Sequence, residues 1–474
     1  THITTNQKVI DESKYTFKLI CNEHNEIFVR CAGSNRRSNP TWVCKRYKNE
    51  GVLTCESPII REKKLDELME NIINNHMKEY VRDVTNEMIK LYNEILIISN
   101  NKLKIDYSIP IEDVPDEIAV IPFITGILPM IYLEDITVVL DRIDKDFYEA
   151  FDQIREGYKK MLPKGEWKGK IEAKEIIDHS KNPENGKSSV FFSGGVDSTS
   201  SLATHIKEKP EFILIWGSDI LQNNEKSWET AKQIAQNTAD QFGINTNYIS
   251  SNFRFYLNEN ALTTKYRELL PVSWWYDVQH GAALLGHVAP IAYKKKLAVH
   301  YIPSSYNIHD KNVVCASYPT LDEKMKFCGC HIIHDGFEMT RLEKVKNICD
   351  FQKDSKPKIT LRVCCTEREE EANCCKCEKC YRTIGELIAC KEDPKKFGFP
   401  ITEKEIRDIK KFFKKEEVQG TAVRHWKEIQ NKMLEDQKYF KKLRYAKWIM
   451  KFNFDKTKRK DFKKEMWDEN GEKI

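Results

Sequence analysis

The residues best suited to chemistry in this chain lie in VFFSGGVDST, at 190–199. An apolar run breaks into a short polar turn and resumes as the helix-like STSSLATHI. The turn consists of Ser193-Gly194-Gly195-Val196-Asp197-Ser198. Two glycines let backbone N–H groups point inward, the serine hydroxyls donate to phosphate oxygens, and the N-terminus of the following helix favours an anion. The turn is therefore predicted to bind phosphate.

Asp197 distinguishes this turn from other phosphate-binding loops. A carboxylate beside a polyphosphate is repulsive unless a divalent cation lies between them, so Asp197 predicts magnesium. The string fits neither GxxxxGK[ST] nor GxGxxG, which excludes two common nucleotide-binding loops. The alternative is a purely structural turn, because many strand-to-helix turns carry two glycines and a serine.

A second group of residues, LRVCCTEREEEANCCKCEKCYR at 361–382, has the spacing of metal ligands. The pattern C-x8-C-x2-C-x2-C suits tetrahedral zinc. The predicted ligands are Cys365, Cys374, Cys377 and Cys380. Cys364 and Cys375 adjoin two of them, so the register stays open by one residue. Because four thiolates close the coordination sphere, we expect a structural site.

A disulfide cluster is the alternative interpretation of these cysteines. The remaining cysteines are scattered without the spacing of a disulfide framework, and no secretory apolar segment opens the sequence. We therefore expect reduced thiols and a cytoplasmic location.

Alternating elements surround the phosphate-binding turn. SSVFF, EFILIW and NTNYIS are predicted strands, and DSTSSLATHIKEK and NEKSWETAKQIAQNTADQFG are predicted helices between them. This order indicates a parallel sheet with crossover helices, whose ligands lie at the carboxyl ends of the strands. Trp216 and Asp219, in the turn after EFILIW, are expected to contact adenine or ribose.

Further along, the run His334-Asp335-Gly336 precedes a predicted helix that carries Arg341 and Lys344. Beside a phosphate site, Arg341 is a candidate partner for the carboxylate of a substrate. The alternative is an ordinary helix start, capped by Thr340 or Asp335, with Arg341 on a solvated face.

The flanking regions carry no recognisable chemistry. Residues 15–60 contain short strand-like runs, 63–100 carry a helical apolar stripe, and the Pro-rich segment 104–135 is predicted to pack without long regular elements. We expect the first part of the chain to bind a partner or cover the site. The predicted domains are an N-terminal α+β accessory domain at 1–165, a central domain with the loop and zinc site at 187–390, and a helical extension at 391–474.

The composition is that of an ordinary soluble protein. It has 77 basic and 72 acidic residues, a net charge of +5 and 40% hydrophobic residues, and it lacks an apolar stretch of membrane-spanning length. Residues 401–474 are more basic, with 22 Lys or Arg against 14 Asp or Glu, and include Trp426, Trp448 and Trp467. Because the charges are mixed, a solvated face over an aromatic core is favoured over nucleic-acid binding.

Both motifs, in this order, resemble those of the 7-cyano-7-deazaguanine synthase (QueC) family of PP-loop ATP pyrophosphatases. The loop matches at Ser193, Gly194, Gly195, Asp197 and Ser198, and the zinc site matches at Cys365, Cys374, Cys377, Cys380 and Arg382. The resemblance covers about 188 to 390. It implies a Rossmann-like parallel sheet of the adenine nucleotide alpha hydrolase type, with ATP, Mg²⁺ and Zn²⁺ as cofactors. The residues expected to be catalytic are Asp197, Ser198 and Arg341.

At 474 residues the chain is longer than this family and looks like the extended QueC-like proteins of anti-phage operons, such as the Qat and type IV CBASS systems. The resemblance implies adenylation of a 7-deazaguanine-type acid, followed by attack of ammonia or of a protein amine. Two other classes stay open. A PP-loop enzyme of tRNA thiolation would use cysteines to carry sulfur, and a non-catalytic nucleotide-binding subunit would dispense with a magnesium ligand such as Asp197.

Overall fold

The computed structural model describes residues 20–21, 26–31, 41–50, 59–61, 103–311, 313–364, 372–416, 418–457 and 459–460. The chain divides into two compact units, residues 1–102 with 254–267 and residues 103–253 with 268–474. The helical stripe predicted over 63–100 lies outside the described residues. The predicted domain boundary between 165 and 187 does not coincide with this division.

Strands occur in both units. They are β1 (Ile20–Cys21), β2 (Glu26–Cys31), β3 (Thr41–Cys44), β4 (Ile60–Arg61), β5 (Ile105–Tyr107), β6 (Thr137–Asp144), β7 (Lys170–Ile177), β8 (Ser188–Phe191), β9 (Glu211–Trp216), β10 (Thr246–Ser251), β11 (Val299–Pro303), β12 (Lys326–Phe327), β13 (Cys330–Asp335), β14 (Val418–Gln419) and β15 (Arg459–Lys460).

The α-helices alternate with these strands in the middle of the chain and dominate its last part. They are α1 (Lys45–Glu50), α2 (Asp116–Ala119), α3 (Ile121–Gly126), α4 (Leu128–Leu133), α5 (Lys145–Met161), α6 (Val196–His205), α7 (Glu225–Phe242), α8 (Phe253–Tyr256), α9 (Glu259–Lys265), α10 (His280–Lys295), α11 (Pro319–Asp322), α12 (Arg341–Asp354), α13 (Glu378–Ala389), α14 (Glu403–Lys415), α15 (Gly420–Glu435) and α16 (Gln437–Phe440).

The first unit contains an antiparallel sheet in the order β1-β2-β3-β4. Trp42 and Cys44 of β3 are buried, and Cys44 lies opposite Phe28 of β2. The runs EIFVRCAG and TWVCKRY, predicted as short strands, form β2 and β3, but the prediction is wrong for KRY, which lies in α1. A small sheet with aromatic and cysteine side chains on its buried face forms the core of this described part.

The second unit is a mixed α/β structure built on a seven-stranded sheet, in the order β12-β13-β11-β8-β9-β10-β5. The five inner strands are parallel, and Val190 of β8 lies opposite both Phe212 of β9 and Tyr301 of β11. The edge strands β12 and β5 run antiparallel to their neighbours. The parallel strands predicted from SSVFF, EFILIW and NTNYIS are confirmed, because continuous apolar runs suit strands covered on both faces.

Helix α7 begins and ends where its sequence predicts. The side chain of Asn224 accepts a hydrogen bond from the backbone N–H of Ser227, which caps the first turn. Gly243 ends the helix in the left-handed region, with φ of 62°. These local signals fix the crossover that returns the chain to β10.

The Pro-rich segment at 104–135 forms β5 and the short helices α2, α3 and α4. Pro122 and Pro129 lie in the first turns of α3 and α4, where a missing N–H costs nothing. A Cβ on Gly286 of α10 would lie 1.8 Å from Thr125 Oγ1, so the glycine lets α3 and α10 pack closely. Because β5 pairs with β10, this segment contributes a strand to the central sheet.

The last part of the chain forms helices over an aromatic core. Trp426 of α15 is fully buried against Phe413 of α14 and Phe454, with ring centroids 4.9 and 5.6 Å away. This arrangement matches the interpretation of a charged face over an aromatic core; Trp467 lies outside the described residues. Within the described ranges, no helix has the length and apolar character needed to cross a membrane.

Candidate functional site

The glycine turn at 193–198, predicted to bind phosphate, lies at the carboxyl end of β8, the middle strand of the seven-stranded sheet. Gly195 precedes the first residue of α6, so the helix N-terminus opens onto the turn. Gly194 has φ of +75°, and a Cβ there would lie 2.9 Å from Ile234 Cγ2. Ser193 is exposed, whereas the buried Ser198 hydroxyl donates to Gly195 O at 3.3 Å. The loop has the shape that an anion-binding turn requires.

Asp197 points into a group of cations. Its carboxylate lies 3.4 Å from Lys344 Nζ and 3.5 Å from an Arg341 guanidinium nitrogen. Burial favours the neutral acid, but Lys344 and Arg341 outweigh burial and hold the pKa of Asp197 below its usual range. Asp197 is thus a carboxylate at neutral pH, as a magnesium ligand must be.

Arg341 and Lys344 reach Asp197 from the first turn of α12. Thr340 and Glu343 form a reciprocal capping box at the start of this helix, so the expected cap is present. Arg341 nevertheless points inward and is largely buried, not on a solvated face. Lys344 also donates to the backbone carbonyl of Ser304, at the end of β11. Both cations therefore lie at the carboxyl edge of the sheet.

A third helix adds carboxylates and a further arginine. Glu378, Arg382 and Glu386 lie on one face of α13, and Arg341 Nε is 3.4 Å from Glu386 Oε1. Burial raises the pKa of Glu386, with Arg341 opposing the shift. In the described part of the chain, Glu386 Oε2 has no hydrogen-bond partner, and Glu386 Oε1 has only its ion pair with Arg341 Nε. This buried network thus retains hydrogen-bonding capacity for water or a ligand.

Four cysteines converge at the start of α13. The Sγ atoms of Cys364, Cys374, Cys377 and Cys380 all lie within 4.8 Å of one another. Two of the separations are 4.0 Å (Cys364 to Cys377) and 3.9 Å (Cys374 to Cys380). Tetrahedral zinc with Zn–S bonds of about 2.3 Å needs S···S separations of about 3.8 Å, so the donor set fits zinc.

The thiols influence one another strongly. The hydrogen bond from Cys380 lowers the pKa of Cys377 to about 7, and the same contact raises the pKa of Cys380 far above its usual range. Several thiolates this close repel one another, so a cation is needed to hold all four in the deprotonated form. A four-cysteine zinc site is consistent with both the geometry and the charge.

The side chain of Asn373 sets the position of the first cysteine. It is fully buried, its oxygen accepts from Val363 N–H at 2.9 Å, and its nitrogen donates to Leu361 O at 2.7 Å and Gly398 O at 2.9 Å. These hydrogen bonds hold the extended segment that precedes Cys364 beside the other three cysteines of the cluster. The cluster therefore consists of three predicted ligands, Cys374, Cys377 and Cys380, together with Cys364. The fourth predicted ligand, Cys365, lies outside the described residues.

Trp216 is the last residue of β9 and Asp219 follows it, at the same edge of the sheet as the loop. The Trp216 indole donates to Leu221 O at 3.1 Å and stacks on Trp228, with ring centroids 5.6 Å apart. Asp219 is exposed. Gly217 has φ of +105°, and a Cβ there would lie 1.7 Å from Ser251 O, so only glycine fits this turn. Their contact with adenine or ribose stays a prediction.

Lys344 and Arg382 were named from the sequence, whereas Glu378, Glu386 and Asn373 were not. Lys344 is one helical turn after Arg341, a spacing that indicates a shared face. The i, i+4, i+8 spacing of Glu378, Arg382 and Glu386 gives the same signal. Asn373 carries no comparable signal, because its role depends on backbone groups distant in the sequence.

Comparison with protein families gives one match: residues 16–74 match the recombinase zinc beta ribbon domain. The matched range lies in the first unit and includes Cys21, Cys31, Cys44 and Cys55. It does not include the cysteine cluster at the start of α13. No curated protein and no solved structure matches the chain.

Proposed function

We propose that this chain is an ATP-dependent synthetase that adenylates a carboxylate and releases pyrophosphate. The observation that carries the proposal is the position of Asp197, a carboxylate held among Lys344 and Arg341 in a glycine turn at a helix N-terminus. The helix N-terminus, Lys344 and Arg341 suit anionic phosphates, and the Asp197 carboxylate suits a divalent cation.

The strand order supports a nucleotide site at this position. From β8 the chain proceeds through β9 to β10 on one side of the sheet and returns to β11 and β13 on the other. Nucleotides in doubly wound sheets bind at this kind of switch point, outside the carboxyl ends of the strands. A Rossmann-like PP-loop fold is accordingly the finer description that we propose for the second unit.

The residues of the turn divide the work of binding. Backbone N–H groups around Gly194 and Gly195, with the hydroxyl of Ser193, would hold phosphate oxygens, and Ser198 would brace the loop. Asp197 would bind magnesium together with phosphate oxygens, a donor set that this ion prefers, and the ion would neutralise the departing pyrophosphate. Lys344, released from Asp197, would then face the phosphates.

The acyl substrate that we favour is a 7-deazaguanine-type acid, on the strength of the motif resemblance. Its carboxylate oxygen would attack the α-phosphorus of ATP, the bond to the β-phosphate oxygen would break, and the acyl adenylate would transfer its acyl group to ammonia or to a protein amine. Arg341 is the proposed partner of the substrate carboxylate. A closed zinc site would hold α13 in place beside the loop without taking part in the chemistry.

Release of pyrophosphate tests the proposal. Purified full-length protein with MgATP should release pyrophosphate and AMP in equal amounts when 7-carboxy-7-deazaguanine is added, and little without it. Release of ADP and phosphate, or no stimulation by the acid, would contradict the proposed reaction or substrate respectively. Stimulation by tRNA instead would favour the thiolation class.

A further inference from the structure

A second group of reactive side chains lies in the same unit, outside the loop and the cysteine cluster. Cys315 Sγ is 3.8 Å from His280 Nε2, and His280 Nδ1 is 2.9 Å from the carbonyl oxygen of Trp275. A carbonyl only accepts, so Nδ1 carries the proton and Nε2 presents its lone pair to the thiol. Nucleophile, base and orienting group thus follow one another in the order that activated thiols require.

The fold brings these two residues together by a close backbone approach. A Cβ on Gly281 would lie 2.0 Å from Ala316 O, so only glycine next to His280 lets the segment carrying Cys315 come this near. Ala316 N–H also donates to Tyr276 O at 2.9 Å. Tyr276 belongs to a π-helical turn, Trp275–Gln279, and such turns are frequent at functional sites.

A series of hydrogen bonds leads from the loop site to Tyr276, which lies near this pair. Lys344, the partner of Asp197, donates to the carbonyl of Ser304, whose hydroxyl donates to Tyr306 O at 2.5 Å. The Tyr306 hydroxyl in turn bonds to that of Tyr276, next to the Cys315 segment. Cys315 is only 4% exposed. A thioester formed on a sulfur shielded in this way is protected from hydrolysis by water.

We propose that Cys315 is a nucleophile that receives the acyl group from the adenylate, with His280 as its base. This inference rests on the proposed adenylation. The thiol gives its proton to His280 Nε2, sulfur attacks the acyl carbon, and the bond from that carbon to the phosphate oxygen breaks, so AMP leaves and a thioester forms. The amine then attacks the same carbon, the C–S bond breaks, and the thiolate recovers a proton from the attacking amine through His280.

The thioester can be observed directly. Protein incubated with MgATP and 7-carboxy-7-deazaguanine, without ammonia, and quenched in acid should gain one acyl group in intact mass, removable by hydroxylamine and mapped to Cys315. Cys315→Ser should give no hydroxylamine-labile adduct and should form product at least about 100-fold more slowly, while its ATP–pyrophosphate exchange stays within about twofold of wild type. Cys349→Ser, another buried thiol, is the matched control and should keep the adduct.

Wild-type rates of product formation by Cys315→Ser would overturn the inference, as would an adduct on another residue. Absence of pyrophosphate exchange in the wild type would instead overturn the adenylation. Alkylation by iodoacetamide then tests whether His280 activates Cys315, independently of adenylation. His280→Gln should slow the labelling of Cys315 by about tenfold and leave the labelling of Cys349 unchanged. Equal labelling of Cys315 in both proteins would show that His280 does not activate the thiol.

Discussion

The backbone N–H of Arg362 donates to the carbonyl oxygen of Gly194 at 2.7 Å. Through this hydrogen bond the segment that leads into the cysteine cluster is attached to the glycine turn at 193–198, with Cys364 only two residues further on. The cysteines and the loop are separated by about 170 residues in the sequence but form one structural assembly. Loss of a zinc ion bound by the cysteine cluster should therefore change the conformation of the glycine turn as well as that of the cluster.

The first prediction concerns the zinc ligands. Cys364→Ser should remove close to one equivalent of zinc per chain and weaken nucleotide binding, because Cys364 contributes to the cluster. Cys365→Ser is the matched control and should keep its zinc. Zinc content measured by elemental analysis, with nucleotide affinity measured by calorimetry, checks both variants. The reverse result would assign the ligand to Cys365, the register that the spacing first favoured.

The second prediction concerns Gly194. Alanine at a positive φ costs about 1–2 kcal/mol, and at Gly194 its Cβ would also press on Ile234. Gly186 has a similar φ, +78°, but no atom within 4 Å of a Cβ. Gly194→Ala should therefore abolish measurable ATP binding, whereas Gly186→Ala should lower the unfolding free energy slightly and keep ATP binding. Equal ATP affinity in the two variants would contradict the assignment of the loop.

The third prediction is a dependence of stability on pH. Because the pKa of Asp197 is lowered in the folded protein, its ion pairs stabilise the fold above the usual carboxyl range, and this contribution is lost as the pH falls through the lowered pKa. Wild type should thus lose more stability than Asp197→Asn between neutral pH and about pH 3. Thermal unfolding across that range measures the difference.

Asp141→Asn provides the control for this comparison. The Asp141 carboxylate also pairs with a lysine, Lys174, but both side chains are highly exposed and water screens the pair. Its unfolding temperatures should follow those of wild type at every pH. Parallel curves for wild type and Asp197→Asn would show that the ion pairs of Asp197 do not stabilise the fold.

The fourth prediction concerns Asn373. Asn373→Asp keeps the oxygen that accepts from Val363 but removes the donor to Leu361 and Gly398, and it buries a charge. The unfolding free energy should fall by about 2–4 kcal/mol, and zinc should dissociate faster. Denaturant unfolding and competition with a chelator measure the two effects. Unchanged zinc release would mean that Asn373 does not position Cys364.

Much of the architecture near the loop could be predicted from local signals. The parallel strands follow from apolar runs, and the ends of α7 follow from Asn224 and Gly243. The turn at Ser193 to Ser198 was recognisable because glycines, serines and a carboxylate occur together. These features depend on neighbours in sequence, which a single chain displays.

Longer-range relationships could not be predicted in this way. From the sequence, Arg341 was expected either on a solvated helix face or beside a substrate carboxylate. In the structure it forms ion pairs with Asp197 and Glu386. Likewise, the Pro-rich segment at 104–135 joins the central sheet because β5 pairs with β10, a pairing of residues about 140 apart. Such contacts follow from how the layers pack, which no local pattern specifies.

ATP–pyrophosphate exchange by the full chain with 7-carboxy-7-deazaguanine tests adenylation at this loop most directly, when wild type, Asp197→Asn and Asp141→Asn are compared. Exchange should require the acid, fall at least about 100-fold in Asp197→Asn and be unchanged in Asp141→Asn. Exchange that persists undiminished in Asp197→Asn, or no exchange in wild type, would contradict adenylation at this loop.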